Sequence, residues 1–298
     1  MYRRRFFCVA AFFLLCSFPL SAQKKVIYSP ANFGPNANPV FEVSDGKIPE
    51  FTKFGFSTDY SFGCGDKTLA WRIDAEVPLL PKYISAKVWM IVNELYWLTP
   101  GNNYRRNIEK PVAFGWATGD LYVQTRFSIL RETERRPQIL ASIVVKTACG
   151  TKFKLRRYFD TPGYAFYATV AKSFPINTKI LKELRIVGDM GFYCWERTNS
   201  SQDDAGMYGV NLILSNSFLT FENQLAGYYG RVNNGDRPLT YRTKLTYNHK
   251  LLDIFFQYQY GIINYPYHQI RLGIVVPVKI LTPRYTVEKK EERKSVRP

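Results

Sequence analysis

From about residue 53 onward the chain returns repeatedly to one device: some ten residues in which apolar and polar side chains alternate strictly, closed by a cluster of turn residues. Successive side chains of an extended backbone point to opposite faces, so a period of two means a strand with one apolar and one polar face. Leu69, Trp71, Ile73, Ala75 and Val77 alternate with Ala70, Arg72, Asp74 and Glu76. Leu239, Tyr241, Thr243, Leu245 and Tyr247 alternate with Thr240, Arg242, Lys244, Thr246 and Asn248. Leu252, Ile254, Phe256, Tyr258 and Tyr260 oppose Asp253, Phe255, Gln257 and Gln259. The chain is therefore expected to be all-β.

Segments of this kind fall at about 53–62, 68–78, 84–97, 119–130, 138–147, 163–174, 183–195, 206–215, 218–229, 238–248, 251–260 and 268–281. That is an even set of about twelve strands, each near the length that crosses a bilayer at a tilt and longer than the five or six residues usual in soluble sheets. The links 100–117, 148–162, 196–205 and 230–237 are long and polar, and the intervening ones are mostly shorter. Alternating long and short links fit a transmembrane antiparallel up-and-down β-barrel with long outer loops and short periplasmic turns. A β-sandwich shares the period of two but points its apolar faces inward. Strand length, even number, loop alternation and an aromatic content of 16% favour the barrel, because Tyr and Trp gather where a barrel meets the membrane interfaces.

In such a barrel the polar faces line the lumen. Arg72, Lys87, Arg126, Lys146, Arg185, Arg242, Lys244 and Arg271 would share it with Asp74, Glu76, Asp189, Glu222 and Asp253. Charges at this density must be hydrated or paired. The expected function is a narrow passive channel for small solutes with a weak anion preference; the alternative is a closed barrel acting as anchor, adaptor or lipid-acting enzyme. Arg157 and Asp160 flank the bend before Pro162-Gly163 and are read as a local pair fixing that loop.

The ends differ from the middle. Residues 1–22 carry Arg3-Arg4-Arg5, an apolar run and a small-residue close at Ser21-Ala22, which reads as a secretory signal peptide cleaved after Ala22. Residues 23–50 lack alternation and are rich in Pro, Asn and Gly, an irregular periplasmic lead-in or a plug in the lumen. The barrel is assigned to 51–281, followed by a basic periplasmic tail at 282–298. Both ends of the mature chain are expected on the periplasmic side.

Phe33-Gly34-Pro35-Asn36-Ala37, Gly119-Asp120-Leu121-Tyr122, Lys146-Thr147-Ala148-Cys149-Gly150 and Arg157-Tyr158-Phe159-Asp160-Thr161-Pro162-Gly163-Tyr164 resemble stretches of an uncharacterised family of outer-membrane β-barrels from Bacteroidetes. The resemblance covers roughly residues 30–280. It implies the outer membrane of a Gram-negative bacterium and carries no established substrate or reaction.

Little in the chain points to chemistry. There are two His, His249 in a tight link and His268 at the start of the last strand, neither beside a Ser that would suggest a dyad. No phosphate loop, HExxH or CxxC occurs, so no cofactor, metal or catalytic residue is assigned. Cys64, Cys149 and Cys194 are placed at the outer ends of strands, either as free thiols or with one pair such as Cys149 and Cys194 joined. The net charge of +17 ordinarily suggests nucleic acid or a membrane surface. In an exported barrel the partners are outer-membrane lipid and small solutes, and aromatics spaced by two belong to strand faces, so nucleic acid is excluded.

Overall fold

The computed structural model describes residues 32–176, 178, 180–196 and 203–283. The expected signal peptide and the tail from residue 284 onward lie outside these. The strands are β1 (Thr52–Gly63), β2 (Asp66–Leu80), β3 (Ile84–Leu98), β4 (Phe114–Ala117), β5 (Leu121–Leu130), β6 (Gln138–Lys146), β7 (Gly163–Pro175), β8 (Glu183–Trp195), β9 (Asp203–Ser215), β10 (Leu219–Gly230), β11 (Leu239–Asn248), β12 (Asp253–Ile263) and β13 (His268–Val278). Twelve of them form a closed antiparallel up-and-down barrel, and β4 lies outside the ring, paired to the end of β3. The ring closes between β1 and β13, where Thr52 faces Val278 and Phe62 faces His268. Closure leaves no unpaired edge, the condition for a sheet to stand in a membrane.

The faces are inverted relative to a soluble sheet. Phe54, Phe56, Ile73, Val170, Ile186, Val210, Leu245, Phe256 and Leu272 are exposed on the outside, whereas Asp59, Arg126, Arg185, Asn211, Arg242, Gln257 and Gln259 are buried within. A sandwich would show the opposite. Among the described residues no helix is long and apolar enough to cross a membrane.

One end of the barrel carries the long connections 99–120, 147–162 and 231–238, and the other carries the tight ones 81–83, 216–218 and 249–252; they are called here the loop end and the turn end. Cys64-Gly65 joins β1 to β2 at the loop end with both residues at positive φ, 49° and 76°, the form that matches strand twist in a two-residue hairpin. Within 99–120, which the sequence reads as plain loop, a short helix α1 (Pro100–Arg105) starts where the Thr99 side chain accepts from the Asn102 N–H, and β4 follows it. β4 exists because β5 pairs with β3 only over Ile84 to Met90, leaving the far end of β3 to take Phe114 to Ala117.

Candidate functional site in the lumen

Residues 33–47 run lengthwise through the barrel. At the loop end the Phe33 carbonyl accepts from Arg106 at 2.8 Å and from the Tyr267 hydroxyl. Asn38 bonds to Tyr228 at 3.0 Å and to Tyr193. Arg242 donates to the carbonyls of Val40 and Phe41, and Asn211 to that of Val43 at 3.2 Å. Near the turn end Arg185 donates to the Asp45 carbonyl at 2.6 Å and the Gly46 carbonyl at 3.3 Å. The segment leaves the lumen there, and Thr52 opens β1 against Leu281 and Thr282. The described part of this stretch, residues 33–47, thus lies in the lumen, and it is called the plug below. The two ends of the mature chain lie outside the described residues; of the flanks that are described, residue 33 stands at the loop end and residue 282 at the turn end.

Phe33, Ala37, Val40 and Val43 of this segment pack with Tyr122, Tyr167, Tyr193, Trp195, Met207 and Tyr228 of the wall. Phe41 meets Tyr193 at 5.0 Å, and Tyr193 meets Trp195 at 4.8 Å. Part of the aromatic content that the sequence assigns to the membrane interfaces is thus an internal cluster.

At the loop end the charges are dry. Asp66 on β2 and Glu94 on β3 receive Arg106 and Arg157 from two different loops, and all four side chains have no exposed surface. Arg106 reaches Asp66 at 2.6 Å and Arg157 reaches Glu94 at 2.7 Å, while Arg157 also pairs with Asp66, donates to Thr68 and lies 4.6 Å over the Tyr96 ring. Tyr158 and Asn36 complete Glu94 at 3.0 and 2.8 Å. Burial alone would lower the Arg157 guanidinium, but the carboxylates of Glu94 and Asp66 outweigh it and raise the pKa above the ordinary value. The same two elements, burial and then the Glu94 charge, raise the Tyr158 phenol, so Tyr158 stays a donor. At the rim, burial raises Asp120 against the opposing pull of Lys146, 2.8 Å away.

Halfway down, packing is looser. A cavity of about 90 Å³ opens between the plug and the wall, lined by Glu42, Arg72, Lys87, Trp89, Tyr122 and Arg271 among others. Trp89 and Tyr122 stack at 5.0 Å, with Arg72 and Lys87 at 5.7 and 5.8 Å from the indole. Arg271 holds Asp59 at 2.7 Å and also meets Glu42. Nearer the turn end, Arg126 pairs with Glu76, Arg185 with Glu132, and Lys244 with Glu222 at 3.4 Å.

The residues assigned to the lumen from sequence sit as follows. Arg72 and Lys87 line the cavity. Glu76, Arg126, Arg185, Glu222, Lys244 and Arg271 are in the ion pairs just described, and Lys146 is paired at the rim. Arg242 grips the plug, Asp189 is buried, Asp74 lies against Gly55 of β1, and Asp253 opens β12 at the turn end. Arg157 runs to Asp66 and Glu94 at separations of 91 and 63 residues, so its loop is pinned to the barrel wall, a longer reach than the expected local pairing with Asp160. Cys64, Cys149 and Cys194 are free thiols at the loop end. His268 bonds to the Tyr258 hydroxyl at 2.8 Å and stacks on Phe62 at 5.0 Å, and His249 stacks on Tyr247.

Sequence reasoning missed Glu42, Asp59, Asp66, Glu94 and Arg106. Asp59 and Asp66 were legible, since Ser57, Asp59 and Ser61 alternate with outward Thr58 and Tyr60, and Asp66, Thr68 and Ala70 with Lys67 and Leu69. Glu94 was not. The β2–β3 register shifts between Trp71 and Arg72, which face Asn93 and Ile91, so Val92 is an extra residue. Such a bulge exchanges the faces beyond it, turning Glu94 and Tyr96 inward where the parity of Lys87 would turn them out.

No family model and no curated protein matches the sequence. Solved structures do match in fold. An outer-membrane channel from Pseudomonas putida F1 superposes with a TM-score of 0.54 over 81% of this chain and 100% of its own, at 11% identity. The translocator domain of the autotransporter NalP from Neisseria meningitidis follows at TM-score 0.42, 10% identity, 77% of this chain and 89% of its own. At this identity the first shows a shared barrel architecture.

Proposed function

We propose that this chain is an outer-membrane barrel, exported after cleavage following Ala22, that acts as a passive channel for small solutes and is held shut by its own residues 33–47. The apolar exterior suits lipid and the charged interior suits water and ions. This reading belongs with the barrel family of Bacteroidetes that its motifs resemble. The observation that carries the closed state is the grip of Arg106, Arg242 and Arg185 on plug carbonyls along the whole lumen. Around the cavity, Arg72, Lys87, Arg242 and Arg271 outnumber Glu42 and Asp120, which supports a weak anion preference once solute can pass.

The packing of Phe33, Val40 and Val43 against Tyr193 and Tyr228 favours a second reading, a permanently closed barrel serving as anchor or adaptor. Conductance in planar bilayers separates the two. The mature chain is expected to pass little current, and a variant lacking residues 33–47, checked for folding by its gel shift on boiling, is expected to conduct. A Val43→Cys/Gly209→Cys pair, placed where the plug touches β9, should when oxidised remove the small residual current of the mature chain, and reduction should return that current without exceeding it. Folded, plug-deleted protein without current establishes the anchor reading. In the variant lacking residues 33–47, replacing Arg242 and Lys244 by Gln should lower the anion preference. No catalytic role is assigned: His268→Ala is expected to leave any phospholipid hydrolysis unchanged.

A further inference from the structure

The cavity halfway down the lumen has more cationic and donor capacity than its neighbours use. Among the described residues Lys87 is in no ion pair, and Arg72 has only Glu42, at 3.9 Å with 18% of the Arg72 side chain exposed. The Tyr122 hydroxyl is buried with no hydrogen-bond partner among the described residues, although a buried hydroxyl left alone is costly. These three groups meet at one stacked pair of rings, Trp89 on Tyr122, which gives the cavity a rigid wall. The cavity of about 90 Å³ exceeds the room one water needs and accepts a few heavy atoms.

The plug already shows what this wall recognises. Its carboxylate, Glu42, comes from a segment otherwise held by carbonyls, the amides of Asn36 and Asn38 and apolar packing, and it is drawn to Arg271 and towards Arg72. Arg271 does not require it, since Asp59 takes two of its donors at 2.7 and 2.8 Å. Glu42 also keeps 34% of its side chain exposed, so it is loosely seated. We infer that the space beside Glu42, between Arg72, Lys87 and Tyr122, is a binding site for a small oxyanion, a carboxylate or phosphate, and that Glu42 is its built-in competitor. The planar forks of Arg72 and the point charge of Lys87 suit such an anion, and the Tyr122 hydroxyl supplies a third donor. The site is complete in the closed barrel, so it stands or falls independently of conduction.

Titration of the detergent-folded mature protein tests this, read by intrinsic fluorescence with Trp89→Phe identifying the reporter. Inorganic phosphate and acetate are the probes, with chloride at matched ionic strength as control. A saturable change with one or both oxyanions and none with chloride is expected, and it shows which oxyanion the site takes. Arg72→Gln/Lys87→Gln should weaken binding at least about tenfold, and Glu42→Gln should tighten it by up to about tenfold. Tyr122→Phe keeps the ring stack and removes a hydroxyl with no partner among the described residues, so it should leave thermal stability unchanged or raise it while weakening the anion several-fold. A response equal to that of chloride, no saturable response, or equal affinity in Tyr122→Phe and the double variant overturns the site. Unchanged affinity in Glu42→Gln overturns the competition.

Discussion

Asp66, Glu94, Arg106 and Arg157 at the loop end have no exposed side-chain surface, whereas Glu42 and Arg72, further down the same lumen, keep 34% and 18%. The two clusters hold similar groups and differ in water. In the first, each carboxylate is matched by guanidinium and hydroxyl donors, and removing one partner strands a charge in a dry place. In the second, water replaces a lost partner at little cost. Burial thus turns the same chemistry into a fastening at one level and an exchangeable contact at another.

The sharpest way to break this contrast is Glu94→Ala. It leaves Arg157 facing a single shared carboxylate, and a loss of about 3 to 5 kcal/mol is expected in urea unfolding of the detergent-folded barrel. Glu42→Gln in the same assay should cost less than about 1 kcal/mol; equal costs would erase the distinction. An intermediate effect is expected at Gly46, where the plug turns at φ +67° and an added Cβ would stand 2.6 Å from Ala171. Gly46→Val should cost about 1 to 3 kcal/mol, appearing as faster protease cleavage of the plug with the barrel's gel shift intact.

The smallest effect belongs to Glu132 in the 131–137 link at the turn end. Burial pushes its carboxyl up, but hydrogen bonds from Arg185 and the Ser173 N–H and the charges of Arg185 and Lys172 outweigh it and hold the pKa below the ordinary 4.5. Between 4.5 and the lower folded value the unfolded chain binds the extra proton, so this contribution is present above 4.5 and is lost as pH falls through the folded pKa. Comparison of Glu132→Gln with the parent across that window should show a difference of less than about 1 kcal/mol that vanishes at the acid end.

What could be read from the chain beforehand follows from which interactions leave a periodic trace. An apolar outer face and a polar inner one impose alternation on every strand, and β8 begins and ends where the pattern begins and ends, at Glu183 and Trp195. A bulge leaves no such trace, and Val92 therefore hid Glu94. The plug was harder still. Arg106, Arg185 and Arg242 hold it by backbone carbonyls, which every residue has, so nothing in residues 33–47 spells out their partner. Arg157 was visible as a charge beside a bend, but its reach to Asp66 depends on a fold that brings residues 91 apart together.

Around the ring every strand pairing but one joins near neighbours in the chain, and the exception is the seam of β1 and β13, where Arg271 meets Asp59 across 212 residues. Such distant pairings form late, because a long loop must close before any contact rewards it. Until then the wall is an open trough and residues 33–47 can settle into it sideways, one carbonyl after another. Once the seam forms, the only entries are end-on, past Arg106 and Arg157 or past Arg185. The order of two assembly events thus decides the product: a segment seated before closure is enclosed with its hydrogen bonds made, and one left outside faces a barrel in which Arg106, Arg185 and Arg242 lack its carbonyls.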